Sequence, residues 1–92
     1  MRYTWRDDKD TRNRRKHGLS LADGILALED PDAEIWIDET MDYGEERLVA
    51  LGMGRAGLLY VVHLDLSEDH IHIISVRRAE SYEAQWYRHG RP

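Results

Sequence analysis

Residues Ile71-His72-Ile73-Ile74-Ser75-Val76-Arg77-Arg78-Ala79 read as a β-branched strand that ends in two adjacent arginines at the mouth of a helix. A guanidinium is a planar fork of donors that matches phosphate and can stabilise the charge that develops when phosphorus is attacked. If the strand stays regular, Arg77 and Arg78 project to opposite faces, so only one shares a face with Ile71, Ile73 and Ser75. The plainer use of either is an ion pair with the acidic middle of the chain. Glu46 and Arg47 follow a predicted Asp42-Tyr43-Gly44 turn, where side chains at the start of a strand remain accessible. A carboxylate there is either half of a surface ion pair of small worth or a proton acceptor whose charge a nearby arginine compensates.

Proton transfer has further candidates. His63 interrupts the apolar run Leu58-Leu59-Tyr60-Val61-Val62; such a histidine is either a satisfied core residue or an imidazole suited to neutral-pH catalysis. His17 has the same two readings, with a helix C-terminal role as the plainer one. The Tyr87 hydroxyl could reach a phosphate, although Tyr82, Trp86 and Tyr87 at helical spacing first suggest core, and Trp5 and Trp36 could serve core or base stacking alike. His70 and His72 share a strand face and with His63 sketch a weak three-histidine metal site. No metal and no cofactor is expected, since P-loop, GxGxxG, HExxH and GxSxG signatures are absent from the sequence.

These side chains need elements to position them. Met1 to Trp5 predicts a strand, and Asp7 or Asp8 is expected to cap a helix that Gly18 ends. No residue from Asp7 to His17 is apolar, so this helix must dock through arginine stems, Asn13, His17 or a partner. Ser20 with Asp23 predicts a capped second helix, whose Leu21, Ala22, Ile25, Leu26 and Leu28 recur until Asp30-Pro31. Strands follow over Ala33–Asp38, Arg47–Met53, Leu58–Asp65 and His70–Arg77, with Gly52, Gly54 and Gly57 marking one link and Ser67-Glu68-Asp69 the next. Links this short favour an antiparallel meander. With a last helix over Ser81–His89, the order is β-α-α-β-β-β-β-α, an α+β fold with a small antiparallel sheet.

Ninety-two residues suffice for one small core with little stability in reserve. There is no cysteine, which removes disulfides, a thiol nucleophile and thiolate metal sites and fits a reducing compartment. No apolar run approaches a membrane span and the start lacks a signal peptide's apolar segment, so the expected location is the cytoplasm, with no membrane partner. The net charge of -5 hides a segregation. Residues 1–20 carry seven Lys or Arg against three acids, and residues 21–46 carry ten acids and no base. A basic surface for an anionic ligand beside an acidic one for a basic partner is one reading, and ordinary solvated faces are the other.

Over nearly its whole length the chain resembles the BrnT family of toxins from bacterial type II toxin–antitoxin modules. The resemblance rests on Trp5, Asp7, Lys9, Asn13, Lys16-His17-Gly18, Ser20, Asp30-Pro31, Gly44-Glu45-Glu46-Arg47, Gly52, His63, Ile73-Ile74-Ser75, Arg77-Arg78-Ala79 and Glu83, in order and spacing. It implies one RelE-like toxin domain over residues 1–92, acting as a metal-independent endoribonuclease that inhibits translation through attack by the RNA 2′-hydroxyl. The expected catalytic set is Arg77, Glu46, Arg47, His63 and Tyr87, with Lys16, His17 and Arg78 binding RNA. The implied partner is a BrnA-like ribbon-helix-helix antitoxin in a hetero-oligomer that reaches operator DNA through the antitoxin; its expected contacts are Arg12, Arg15 and Lys16. The chain departs from the family where Leu64-Asp65-Leu66 and Glu80-Ser81 replace more polar or basic residues. Those departures leave a second function open, a weakly catalytic or inactive module that binds antitoxin and regulates its promoter.

Overall fold

The computed structural model describes residues 1–40 and 42–92. The elements are β1 (Arg2–Thr4), α1 (Asp7–His17), a 3-10 turn (Leu21–Asp23), α2 (Gly24–Glu29), β2 (Glu34–Ile37), β3 (Leu48–Gly54), β4 (Gly57–Ser67), β5 (His70–Arg78) and α3 (Ser81–His89). They build a five-stranded sheet in the order β1-β5-β4-β3-β2. The last four strands in sequence form the expected antiparallel meander. Strand β1 departs from the all-antiparallel expectation: it runs parallel to β5, pairing Arg2 with His70 and Thr4 with His72. Residues 5–69 separate the two strands, so the length that a parallel pair needs is available.

The N-cap of α1 is Arg6 and not Asp7 or Asp8, which with Asp10 lie inside the first turn, while Arg14, Arg15, Lys16 and His17 fill the last; the aspartates act on the helix dipole instead of capping it. Gly18 closes it in the left-handed region, φ 70°, and its N–H donates to the Arg14 carbonyl. Docking falls to Asn13, which is buried. Its amide donates to the Leu19 and Val76 carbonyls, both at 2.8 Å, and its oxygen accepts from the Val76 N–H at 3.0 Å. Because β1 pairs only with residues 70–72, the Asn13 amide gives Val76, farther along β5, the two backbone bonds a neighbouring strand would supply.

The predicted second helix divides into the 3-10 turn and the six-residue α2. The Ser20–Asp23 capping box is present. Leu21 and Ala27 pack on Ala50, Leu59, Val61, Ile73 and Val76 from one face of the sheet. The approach is close: a Cβ on Gly52 would stand 2.2 Å from the Ala27 carbonyl oxygen. Gly52 and Gly54 therefore lie inside β3, and the β3–β4 turn is confined to Arg55-Ala56 between the paired Gly54 and Gly57. On the other face α3 brings Trp86 against Trp36, with ring centroids 5.8 Å apart, and Trp36 also meets Tyr60 edge-on at 5.9 Å. Among the described residues no helix is long and apolar enough to cross a membrane.

Candidate functional site

The basic residues of α1 repeat at Lys9, Arg12 and Lys16, a three-and-four spacing that puts them on one side of the helix. That side borders two adjoining concavities of about 230 and 240 Å³. The first is walled by Arg6, Glu45 and His72, the second by Arg12, Lys16, His17 and Ser75, and Lys9, Arg47 and Ile74 border both. The result is one cationic groove with β5 as its floor. Arg47 enters from the far wall, with its guanidinium carbon 3.7 Å above the Tyr43 ring. Its ion pair with Glu45, at 3.4 Å, is long and partly exposed, so it leaves Arg47 much of its charge.

His17 is half-buried at the end of this wall. Burial, then the neighbouring Lys16 and Arg77 charges, lower its pKa from the ordinary 6.5, so its imidazole stays neutral to more acidic pH than a solvated one. Its backbone carbonyl accepts a bond from Arg78 at 3.3 Å, which sets that guanidinium at the negative end of α1.

Arg77 is engaged within the fold. Its guanidinium makes two 2.9 Å bonds to Glu83 and stacks 3.8 Å over the Tyr60 ring. Glu83 is 1% exposed. Burial pushes its carboxyl up, but bonds from Arg77 and the Glu80 N–H outweigh that and hold the pKa below the usual carboxylate value. Glu80, one of the departures from the family pattern, caps α3 with Glu83 in a reciprocal box. Ser75 and Arg77 lie two residues apart on β5, so the pair sits at the end of the groove floor.

The fold places other expected residues elsewhere. His63 is buried with Leu59 and Val61 on the α2 face of β4, where Nδ1 donates to the Val61 carbonyl at 3.2 Å and burial lowers its pKa. The Tyr87 hydroxyl donates to Asp30, and that bond pushes its pKa up to about 12. Neither side chain borders the groove. Glu46 is exposed on the loop beside the groove, whose wall takes Glu45 instead. Arg12 and Lys16 face the groove, whereas Arg15 is exposed and borders neither concavity.

His70 and His72 are both bonded to the Thr4 hydroxyl, at 2.8 and 2.9 Å. Core burial keeps His63 out of that cluster, and among the described residues no three or more His, Cys, Asp or Glu side chains are gathered in a way that could hold a metal ion. Lys9, Arg6, Ser75 and His72 are groove residues to which sequence reasoning gave no such role. The signal for Lys9 was present as the basic repeat along α1, while Arg6 and His72 required the β1–β5 pairing and Ser75 the placement of α1 beside β5.

A protein-family model described as "Ribonuclease toxin, BrnT, of type II toxin-antitoxin system" matches residues 5–83. Among solved structures, the chain is similar to the Brucella abortus ribonuclease toxin BrnT, with 28% identity and a TM-score of 0.67 over 88% of this chain and 99% of that one. No curated protein matches the chain. With the family match running from Trp5 at the foot of α1 to Glu83 in α3, the chain belongs to the BrnT family of ribonuclease toxins of type II toxin–antitoxin systems.

Proposed function

We propose that the groove binds single-stranded RNA and cuts it by making the RNA 2′-hydroxyl its own nucleophile, with no metal ion. The observation that carries this reading is a cationic groove with a half-buried histidine of lowered pKa in its wall. Lys9, Lys16 and Arg47 hold the phosphodiester and neutralise charge on its oxygens. Neutral His17 accepts the 2′-hydroxyl proton as the O2′–P bond forms. The P–O5′ bond then breaks, and the departing oxygen takes a proton from Lys9, leaving a 2′,3′-cyclic phosphate and a 5′-hydroxyl.

Arg77 acts here as a fixed positive charge beside His17 that keeps the imidazole neutral. Arg78 and Arg12 extend the cationic surface along the RNA backbone. Glu46, next to Arg47, is the alternative proton acceptor, which the pH profile of a His17 variant separates from the imidazole. His63 and Tyr87 take no part in the proposed chemistry, one being packed in the core and the other committed to Asp30.

The family implies an antitoxin partner, and we assign this role to a BrnA-like ribbon-helix-helix protein that contacts α1 through Arg12, Arg15 and Lys16, carries the complex to operator DNA and acts with the toxin in the cytoplasm. Purified toxin should cut RNA in EDTA and leave cyclic-phosphate ends. Complete loss of cutting in chelator that zinc or magnesium restores would overturn the metal-free mechanism. Expression that arrests growth only without the antitoxin supports the toxin reading over the inactive-module alternative; harmless expression of the free toxin favours the latter.

A further inference from the structure

Strand β2 ends the sheet, and its pairing shows which backbone groups are spare. The Asp38 N–H donates to the Arg47 carbonyl, and Trp36 and Glu34 continue that register opposite Val49 and Leu51. Alternation then turns the N–H and C=O of Ile35 and Ile37 outward. Among the described residues no further strand pairs there. The same two side chains are 55% and 46% exposed. An edge with open backbone and exposed isoleucines, lacking the lysines or bulges that usually blunt one, accepts an added strand.

Charge decides which strand. Strand β2 and its flanks carry Asp32, Glu34, Asp38 and Glu39 and, from residue 32 to 39, no base. A second copy of this chain would bring the same acidic segment against itself, so self-pairing is disfavoured by like charge. We infer that the β2 edge is the docking surface for an extended segment of the antitoxin in which lysines or arginines flank apolar residues. The edge's backbone would pair with that segment, Ile35 and Ile37 would cover its apolar side chains, and the acids around them would meet its bases. This inference rests on neutralisation by an antitoxin but uses a surface remote in the sheet from β5, so one antitoxin can hold both the acidic edge and the basic side of α1.

Amide hydrogen exchange of free toxin and of its purified complex with the antitoxin encoded beside it tests the inference. The Ile35 and Ile37 N–H groups should exchange at least about tenfold more slowly in the complex. A double variant, Ile35→Lys with Ile37→Lys, should bind about tenfold or more weakly at about 0.1 M salt, because it sets cations against a basic segment. Both side chains are largely exposed and the surroundings acidic, so the variant should fold and retain RNA cleavage. A complex of undiminished affinity in which both amides exchange as in free toxin overturns the edge as the docking surface and leaves neutralisation standing. Failure of any complex to form overturns both.

Discussion

His17 owes its lowered pKa first to burial and then to Lys16 and Arg77, and the account therefore makes it the proton acceptor. His17→Gln should reduce RNA cleavage by about 100-fold or more with little change in the unfolding midpoint, since among the described residues its ring has no hydrogen-bond partner. In wild type the cleavage rate should rise with pH with its midpoint below the 6.5 of an ordinary imidazole; a midpoint above that value would point to another base. Arg77 behaves differently. Arg77→Ala leaves the buried Glu83 carboxylate without its two bonds and should destabilise the protein by about 3 kcal/mol, read from urea unfolding at neutral pH. Unchanged stability would mean that the pair contributes nothing to holding α3. The sequence singled out Arg77, Arg47 and His17, because their types announce phosphate and proton chemistry. It did not reveal that Arg77 is spent on Glu83, since that partner is presented by the Glu80 cap of a helix whose position over Tyr60 depends on packing.

The absence of apolar residues in α1 was legible, as was the need for an unusual attachment. The form of the attachment was not, because Asn13 bonds to a part of β5 that is open only when β1 stops at Thr4. Asn13→Ala should cost about 3 kcal/mol by leaving the Val76 backbone unsatisfied in a buried setting. It should also weaken RNA binding, as Lys9, Arg12 and Lys16 lose their common support; circular dichroism with RNA affinity checks both. Gly52 was read as punctuation between strands, yet it lets α2 touch the sheet. Gly52→Ala places a methyl against the Ala27 carbonyl and should destabilise by roughly 1–3 kcal/mol, whereas an alanine tolerated without loss would show that α2 can slide. The four-strand meander followed from short links. The parallel β1 did not, because no local pattern states where a strand's distant partner lies.

Across the molecule, the charge segregation seen in the sequence becomes a basic groove by α1 and an acidic edge at β2. Which acids remain at the edge was hidden, since the β2–β3 loop carries Glu45 and Arg47 over to the groove. Titration adds a global signature. Burial lowers the pKa of His63, and burial with neighbouring cations lowers that of His17, both from 6.5. Below that value the unfolded chain takes up protons first, so stability should be full above about pH 6.5 and fall as pH drops through the folded-state values. Glu83 and Asp30, both held below the ordinary carboxylate range, add a second loss in stronger acid. Urea midpoints from pH 8 to pH 4 should show this decline; greater stability on acidification from neutrality would contradict it. Cleavage of an RNA carrying one 2′-O-methyl group at the cut site isolates the chemistry of the groove. Cutting at that bond should stop while neighbouring unmodified sites are still cut. Cutting at the modified bond would show that the nucleophile is not the RNA's own hydroxyl.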